Sequence, residues 1–401
     1  MDYSKINELR EFPFVKAFLA GHVKVSTFHD DFNVFFKDQY FRNHFGFSSD
    51  EITLEELQTL ENALKFPEFT KVLKYNVILW RNLLLSSRLG CQVDILDFST
   101  TKTGTHKYIK AVNVLNLPQV KHAKRLFVIS AGNYAYSLMR CMESIGSKQE
   151  LVIIIDTSLG FFATRKFKNK NVRIIRTNLS KVKIEDAFAP LQLIYSKAEL
   201  EKILSTREGM MKVYSENVNV TNYYYFTLGP NLNVKLLMPH YVLYSDVTES
   251  LGEYDYVVCP TGSGEIIYAL WNEFMESPSK YGKIKPQIIG IIPFLTHEIS
   301  SVGDFRGFVD KMNKTKAKAL ATPYFEMRPI VNYPNLNFWE VNNKEFIKAN
   351  KIAAEVGLNS EISGSAGLVF IDSNLRKENN IHLKSTDRIL IVNTGNGKIL
   401  S

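Results

Sequence analysis

The sequence is poor in cysteine and has no long apolar run. Its 401 residues include three cysteines, Cys91, Cys141 and Cys259. Three are too few for a disulfide framework, and their spacing is not that of metal ligands, so we expect no metal site. No apolar run approaches the ~20 residues of a membrane span, and residues 1–5 lack the basic-then-apolar pattern of a secretory signal. We therefore expect a cytoplasmic protein that does not contact a membrane.

Internal repeats and low-complexity tracts are also absent from the sequence. A hydrophobic content of 45% and an aromatic content of 12% predict a globular protein, and 401 residues suffice for two domains. The net charge of +8 is compatible with binding to nucleic acid. The densest basic run, residues 164–173, lies between two predicted strands, where a solvated face is the better interpretation. We therefore expect no nucleic-acid partner.

Residues 1–95 are predicted to form a mainly helical extension. Leucines at helical spacing follow a capped start near Ser49, and a further helix is predicted over residues 72–85. Phenylalanines are concentrated in residues 28–47, where they fit contacts in a core or a dimer better than a ligand site.

From residue 91 onward, apolar strands alternate with helices, which predicts parallel sheets covered by helices on both faces. We expect an α/β fold of two open domains, residues 96–230 and 231–401. Strands are predicted at residues 93–98, 126–129, 151–155, 172–176, 257–259, 287–292 and 389–392. Residues 213–236 interrupt the alternation and are predicted to form a β-rich insertion.

The most informative motif is Thr103-Gly104-Thr105-His106-Lys107, which precedes a run that can be helical, residues 108–115. A lysine at the start of a helix lies near the positive end of the helix dipole, which disfavours the charged ammonium when the group is partly buried. A neutral amine can attack an aldehyde and hold it as a Schiff base. A lone lysine is more often a solvated surface residue. The interpretation of Lys107 therefore depends on the segments that accompany it.

The first companion segment, Ser130-Ala131-Gly132-Asn133, ends an apolar strand and leads into a predicted helix at residues 136–143. Backbone N–H groups at a helix start can hold an anion. The amide of Asn133 can donate to a phenolate or carboxylate oxygen. Taken alone, the segment is more typical of an ordinary turn between a strand and a helix.

A second companion, Thr261-Gly262-Ser263-Gly264, also joins an apolar strand to a predicted helix, at residues 266–274. Its glycines permit close approach of the backbone and its hydroxyls add donors, so the loop can cradle a phosphate. It lacks the Lys-Ser/Thr ending of a nucleoside triphosphate loop and the GxGxxG spacing of a dinucleotide loop. Both of those nucleotide classes are therefore disfavoured.

Two further segments complete the set. Small residues in 361–368 permit tight packing of a helix start against a cofactor or another backbone. The apolar strand at residues 389–392 runs into Asn393-Thr394-Gly395-Asn396-Gly397, which places the hydroxyl of Thr394 at the strand end. A hydroxyl there can be the neutral partner of a ring nitrogen, and a neutral partner leaves a pyridine nitrogen largely unprotonated.

In this order, the five segments resemble those of the fold-type II pyridoxal-phosphate enzymes. That superfamily includes threonine synthase, threonine dehydratase, cysteine synthase and the β-subunit of tryptophan synthase. The resemblance covers roughly residues 95–401. It implies two α/β domains with pyridoxal 5'-phosphate in the cleft, a small amino acid as substrate, and a homodimer to which the apolar residues 28–47 would contribute.

The resemblance also implies roles for individual residues. Lys107 would carry the cofactor as a Schiff base and, once displaced by substrate, act as the base at the α-carbon. The residues implied in cofactor binding, besides Lys107, are Asn133 for the ring hydroxyl, Thr261, Gly262, Ser263 and Gly264 for the phosphate, and Thr394 for the pyridine nitrogen. The residues implied in substrate binding are Thr103, Ser130, Ala131, Gly132 and Asn133.

Different subfamilies share different segments with this chain. Thr-Gly-Thr-His-Lys is most similar to the tryptophan synthase β-subunit, Ser-Ala-Gly-Asn-Tyr-Ala to threonine dehydratase, and Thr-Gly-Asn-Gly-Lys, with the length, to threonine synthase. We expect elimination or replacement at the β- or γ-carbon, threonine synthase-like first, with a serine/threonine dehydratase or a cysteine synthase-like enzyme as the alternative. Tyr108-Ile109-Lys110 stands where threonine synthase and cysteine synthase usually have Asp-Arg-Gly. A cofactor-binding protein with a regulatory role in place of catalysis is the third hypothesis.

Overall fold

The computed structural model describes residues 6–11, 15–16, 70–130, 132–157, 171–178, 191, 193–220, 226–227, 233–234, 240–276, 286–294, 314–320 and 335–396. The strands are β1 (Thr70–Val72), β2 (Ile78–Arg81), β3 (Gln92–Asp97), β4 (Arg125–Ile129), β5 (Glu150–Asp156), β6 (Val172–Thr177), β7 (Asn217–Asn219), β8 (Phe226–Thr227), β9 (Asn233–Val234), β10 (Tyr256–Pro260), β11 (Gln287–Pro293), β12 (Leu336–Val341) and β13 (Arg388–Asn393). The α-helices are α1 (Ile6–Leu9), α2 (Leu83–Leu89), α3 (Lys107–Leu115), α4 (Pro118–Lys121), α5 (Asn133–Ser144), α6 (Lys197–Leu204), α7 (Arg207–Glu216), α8 (His240–Thr248), α9 (Glu265–Glu276), α10 (Asn343–Glu355) and α11 (Ser373–Glu378). Short 3₁₀ helices cover Lys74–Asn76, Lys318–Leu320 and Gly364–Ile371.

A seven-stranded sheet has the strand order β1-β2-β3-β13-β10-β11-β12. Within this sheet, β3, β13, β10, β11 and β12 run parallel. Strands β1 and β2 add an antiparallel hairpin at one edge. Along β13, Ile389 and Ile391 belong to one hydrophobic core, and Leu390 and Val392 belong to another. Because both faces are buried, β13 reads as an uninterrupted apolar run, which is typical of parallel strands covered on both sides.

A second, four-stranded sheet has the order β6-β5-β4-β7, with all its strands parallel. Its Leu126 belongs to the same hydrophobic core as Leu390 of the larger sheet. Helices α3, α5 and α9 contribute Ile109, Leu138 and Leu270 to that core. The two sheets are therefore joined by a shared apolar layer of helices, and the predicted α/β fold with parallel sheets is confirmed.

The larger sheet takes its strands from both ends of the described chain. Strands β1 to β3 precede the four-stranded sheet in sequence, and β10 to β13 follow it. The domain limits at residues 95 and 230 stay predictions. In the structure, β3, which spans the first of these limits, pairs with β13 and so belongs to the larger sheet. Strands β7, β8 and β9 fall within residues 213–236, the segment predicted to be rich in β-structure.

The prediction of a helix over residues 72–85 is wrong. Its first part forms the hairpin of β1 and β2, and α2 begins only at Leu83. The turn of the hairpin contains Tyr75 and Asn76 with φ of 64° and 60°, a left-handed backbone that a helix cannot include. Trp80 is buried opposite Ile95 of β3. Pairing with this neighbouring strand decides the structure, and the spacing of apolar residues does not reveal it. Most of the predicted helical extension, including residues 28–47, lies outside the described residues.

Candidate active site

Lys107 is the first residue of α3 and follows a tightly folded loop that begins at the end of β3. In this loop, the backbone N–H of Thr105 donates to Thr101 Oγ1 at 2.9 Å, and that of Gly104 donates to Thr101 O at 2.8 Å. Gly104 has a φ of +70°, a backbone conformation that strains any residue with a side chain. The loop thereby fixes the point from which the Lys107 side chain leaves the helix.

The loop that carries Lys107 is bonded to the end of β13. The backbone N–H of His106 donates to Thr394 O at 3.0 Å. Thr105 and Gly395 form an antiparallel bridge between the two segments. Lys107 and Thr394, which are distant in sequence, are therefore held on adjacent segments of backbone.

His106 ties this loop to β13 through its side chain as well. Its ring lies among aromatic rings, with centroids 6.3 Å from Phe98 and 6.2 Å from Tyr244. Burial, together with the positive charge of Lys107, lowers the pKa of His106 to about 3. Because the ring is neutral and a carbonyl only accepts, Nδ1 carries the proton and donates it to Thr394 O at 3.1 Å. His106 therefore orients the loop and does not exchange protons near neutral pH.

The amine of Lys107 lies beside the start of α9. Its Nζ is 3.3 Å from Oε2 of Glu265, the first residue of that helix. The Lys107 side chain is 24% exposed, whereas that of Glu265 is 3% exposed. Because Glu265 directly follows residues 261–264, the loop predicted to hold a phosphate lies next to the lysine predicted to hold an aldehyde. In that loop, Gly264 has a φ of +94°, which turns the chain from β10 into α9.

A second lysine, Lys110, is buried in the same place. Its side chain is 2% exposed, and its Nζ bonds the other carboxylate oxygen of Glu265 at 2.5 Å. The same ammonium lies 4.5 Å from the centroid of the Tyr134 ring, and the hydroxyl of Tyr244 donates to Glu265 Oε2 at 3.5 Å. Burial holds the pKa values of both tyrosines well above their usual range, so both hydroxyls stay protonated.

The sequence reasoning did not identify Glu265 or Lys110 as site residues. One signal for Lys110 was available, because a residue three positions after Lys107 lies on the same face of a helix. Glu265 stands directly after the glycine-rich loop, at the positive end of α9, where a carboxylate is favoured. Neither signal identifies the partner, because the two residues are 155 positions apart.

The segment predicted to bind the substrate carboxylate lies at the end of β4 and the start of α5. The backbone N–H of Gly132 donates to Ser130 Oγ at 3.4 Å, and α5 begins at Asn133. Thr103 Oγ1 is bonded to Oγ of Ser137 at 2.8 Å, which ties the loop of Lys107 to α5. The remaining predicted member of the segment, Ala131, lies outside the described residues.

Residues 360–364 are hydrogen-bonded to the residues at the end of β13. The backbone N–H of Glu361 donates to Gly395 O at 3.2 Å, and that of Thr394 donates to Gly364 O at 3.4 Å. The hydroxyl of Ser360 donates to Asn393 Oδ1 at 2.7 Å. These bonds determine where Thr394 sits relative to the loop of Lys107.

A buried carboxyl completes this network. Asp97, the last residue of β3, accepts from the amide of Asn393 at 2.8 Å and from the backbone N–H of Ser99 at 2.9 Å. Burial raises the pKa of Asp97 from 3.8 to about 6. Burial outweighs these hydrogen bonds, which favour the ionised form.

We expect the substitution Asp97→Asn to change the pH dependence of folding stability. The protonated carboxyl is favoured in the fold, so its contribution is present below pH 3.8 and is lost as the pH rises through about 6. At about 1.4 kcal/mol per pKa unit, Asp97→Asn should gain up to about 3 kcal/mol of unfolding free energy over the wild type between pH 4 and pH 7.5. Urea denaturation of the cofactor-free proteins at the two pH values measures the difference.

The matched control is Asp94→Asn, on the same strand. Asp94 Oδ1 accepts from Arg81 Nε at 3.2 Å, so its substitution removes an ion pair. We expect Asp94→Asn to lose stability at pH 7.5, where Asp97→Asn should gain it. If the difference between Asp97→Asn and the wild type were the same at pH 4 and pH 7.5, the raised pKa would be contradicted.

The geometry fits a ligand that carries both an aldehyde and a phosphate. Lys107 offers an amine, and the adjacent turn from Thr261 to Gly264 presents backbone N–H groups at the start of a helix of 12 residues. The hydroxyl-bearing Thr394 lies on the segment bonded to the Lys107 loop. These donors suit pyridoxal phosphate, and the roles of the individual residues toward it stay predictions.

The described part of the chain offers neither a metal site nor a membrane-spanning helix. No group of three or more His, Cys, Asp or Glu residues there is arranged to hold a metal ion. Among the helices of the same residues, none has the length and apolar character needed to cross a bilayer.

Comparison with known proteins supports the same reading. A sequence model of the family described as pyridoxal-phosphate dependent enzyme matches residues 78–395. Serine racemase from Dictyostelium discoideum is 12% identical, with a TM-score of 0.53 over 85% of this chain and 97% of that chain. A fungal L-serine ammonia-lyase from Rhizomucor miehei is 15% identical, with a TM-score of 0.53 over 82% of this chain and 94% of that chain. A hydrogen sulfide-producing enzyme from Fusobacterium nucleatum is 15% identical, with a TM-score of 0.52 over 82% of this chain and 98% of that chain.

At these identities, the likeness to solved structures shows the shared fold. No curated protein sequence matches the chain significantly. The family match, in contrast, covers most of the chain and extends from β2 past the end of β13. It includes Lys107, the loop before α9 and Thr394. The chain belongs to the family of pyridoxal-phosphate-dependent enzymes, with the fold of its type II members.

Proposed function

We propose that the protein catalyses elimination or replacement at the β- or γ-carbon of a small amino acid, with threonine synthase-like chemistry as the first candidate. The observation that carries the proposal is Thr394 at the end of β13, buried and bonded through its carbonyl to the loop of Lys107. A hydroxyl at that position leaves a pyridine nitrogen largely unprotonated, whereas a carboxylate would keep it protonated. Bound pyridoxal phosphate supplies an electron sink for negative charge at the substrate α-carbon, and a neutral partner makes that sink moderate. A moderate sink suits loss of an α-proton followed by departure of a leaving group.

Lys107 has two roles in this proposal. Its amine would hold the cofactor aldehyde, and the same amine, when not bonded to the cofactor, would remove the substrate α-proton. The helix start at Lys107 and the bonds of His106 to Thr394 O hold the lysine backbone still, so that the side chain alone moves between the two tasks. The carboxylate of Glu265, 3.3 Å from Nζ, keeps the amine directed toward the start of α9.

The loop at residues 130–133 binds the substrate carboxylate. The backbone N–H groups of Gly132 and Asn133 lie at the start of α5, a helix of 12 residues whose dipole favours an anion there. The amide of Asn133 would donate to the ring hydroxyl of the cofactor. The bond of Thr103 to Ser137 keeps this loop in register with the loop of Lys107.

Threonine synthase-like chemistry is favoured by the Thr-Gly-Asn-Gly sequence at residues 394–397 and by the length of the chain. A serine or threonine dehydratase is the second candidate. It is favoured by the Ser-Ala-Gly-Asn-Tyr-Ala sequence at residues 130–135 and by the structural likeness to an L-serine ammonia-lyase. A cysteine synthase-like β-replacement enzyme belongs to the same candidate class, since it also loses a β-substituent.

A substrate panel distinguishes the candidates. The full-length protein is loaded with pyridoxal phosphate and mixed in turn with O-phosphohomoserine, threonine, serine and O-acetylserine. We expect O-phosphohomoserine to change the visible spectrum of the bound cofactor and to release inorganic phosphate. Turnover of the unphosphorylated amino acids alone would reject threonine synthase-like chemistry in favour of the dehydratase or β-replacement enzyme. A spectrum that no amino acid changes would favour a cofactor-binding protein with a regulatory role.

The assembly and location of the protein stay predictions. The homodimer rests on the apolar residues 28–47, which lie outside the described residues, and on the resemblance to the superfamily. A cytoplasmic location rests on the sequence alone.

A further inference from the structure

One buried carboxylate serves two lysines of the same helix. Glu265 bonds Lys107 Nζ through Oε2 and Lys110 Nζ through Oε1, so each amine has its own oxygen. Lys107 and Lys110 are three residues apart on α3, which places both side chains on the face toward α9. Lys107 is partly exposed, whereas Lys110 and Glu265 are almost completely buried. The two lysines therefore differ in what they can do.

Lys110 is confined to the carboxylate. Its ammonium has Glu265 on one side and the ring of Tyr134 on another. Because the side chain is only 2% exposed, the ammonium is shielded from water. Burial of an isolated carboxylate is very costly, and a buried cation bonded to it offsets much of that cost. Lys110 thus keeps Glu265 ionised in the interior, while Oε2 remains directed toward Lys107.

We propose that Glu265, held ionised by Lys110, positions the amine of Lys107 and accepts its proton. This inference rests on the proposed role of Lys107 in binding the cofactor. An ammonium has no lone pair, so Lys107 must lose a proton before its nitrogen can bond a carbonyl carbon. The proton passes to Glu265 Oε2, the N–H electron pair stays on the nitrogen, and Lys110 remains a cation throughout.

The other ionisable groups near Glu265 do not compete for this proton. The groups that interact with Glu265 include Lys107 and Lys110 of α3, His106 of the preceding loop, Tyr134 of α5 and Tyr244 of α8. Cys259 of β10 interacts in turn with Tyr244. His106 stays neutral because its pKa is lowered to about 3. Burial raises the pKa values of Tyr134, Tyr244 and Cys259, so these groups stay protonated. None of these groups therefore takes the Lys107 proton in place of Glu265.

The test is the rate at which the full-length, cofactor-free protein binds pyridoxal phosphate, followed by absorbance from pH 6 to pH 9. We expect Glu265→Gln to slow binding about 100-fold at pH 7, within the usual contribution of a positioned proton acceptor. The deficit should shrink at pH 9, because hydroxide and buffer base then remove the proton. Glu265→Asp, which keeps the charge on a shorter side chain, should recover part of the rate. The matched control is Glu273→Gln, a buried carboxylate about two turns further along α9, which should bind at the wild-type rate.

A second variant separates this role from a purely structural one. Glu265→Gln removes the negative charge beside Lys110 and should lower the melting temperature. Glu265→Gln with Lys110→Met removes both buried charges, so the melting temperature should recover while binding stays slow. The proposal would be overturned by a double variant, or a single Glu265→Gln variant, that binds at the wild-type rate across this pH range. If those variants bind normally while Lys107→Ala does not bind covalently, the role of Lys107 stands and that of Glu265 fails. A wild type that never binds pyridoxal phosphate would overturn both proposals.

Discussion

Replacing Lys107 with alanine should abolish covalent binding of pyridoxal phosphate. The amine of Lys107 is partly exposed and lies beside the start of α9, where the cofactor phosphate is proposed to bind. The nearby Lys110 is buried and bonded to Glu265, so its amine is not available as a substitute. We expect the visible absorption of the lysine-bound cofactor to disappear, and borohydride treatment to leave no cofactor attached to the protein, as measured by intact mass. Turnover of any substrate should fall by a factor of about 10² to 10⁴, since the base at the α-carbon is lost as well.

The control for this substitution is Lys102→Ala. Lys102 is an exposed lysine of the same loop, so its removal changes the charge near the site and leaves the amine of Lys107 in place. Lys102→Ala should keep the absorption and the borohydride adduct. Peptide mapping of the wild-type adduct should locate the cofactor on Lys107. A cofactor found on Lys110, or an adduct that persists in Lys107→Ala, would contradict the assignment.

The strands that carry the site were predictable because they are buried on both faces. Each of the seven strands predicted from sequence is present, and its ends agree within one residue. A parallel strand covered on both sides is a continuous apolar run, which stands out between polar loops. Strand β12 escaped prediction because its burial is mixed, with Asn337 exposed and Glu340 half-buried. The hairpin of β1 and β2 was misread because its apolar residues also fit a helical period, and its pairing with β3 is a tertiary effect.

The members of the candidate site could be proposed from the sequence, but its electrostatics could not. The lysine and the loops could be proposed because each has a distinctive local composition. In the structure, the loops after β3, β10 and β13 meet because parallel strands end at one edge of a sheet. Sequence reasoning did not find the bond between Lys110 and Glu265, because neither residue carries a local mark of its distant partner. It also did not find the hydrogen bond from Asn393, the neighbour of Thr394, to Asp97.

Substituting Gly364 with alanine should strongly disrupt the packing near Thr394. A Cβ built at Gly364 would lie 2.1 Å from Gly395 O and 2.6 Å from Ser360 Oγ, and the first of these atoms is backbone. Gly395 cannot yield easily, because it is bridged to Thr105 in the loop of Lys107. Overpacking of this kind costs typically 1–3 kcal/mol, and with a backbone atom in contact we expect about 3 kcal/mol of unfolding free energy to be lost. Because Thr394 and the Lys107 loop must shift together, affinity for pyridoxal phosphate should fall at least about tenfold.

Gly252→Ala is the matched control for this change. At Gly252 the nearest heavy atom to a new Cβ is Arg388 Nη2 at 3.6 Å, an ordinary contact with a flexible side chain. This substitution removes the same backbone freedom from the unfolded chain, so it should leave stability unchanged or raise it by about 0.4–1 kcal/mol. Urea denaturation of the cofactor-free proteins and equilibrium titration with pyridoxal phosphate measure both effects. If Gly364→Ala matched Gly252→Ala in both measurements, the close packing of Gly364 on Gly395 would not govern the position of Thr394. A variant that lost stability but kept full cofactor affinity would show that Thr394 is held independently of that packing, through Asn393 and the loop of Lys107.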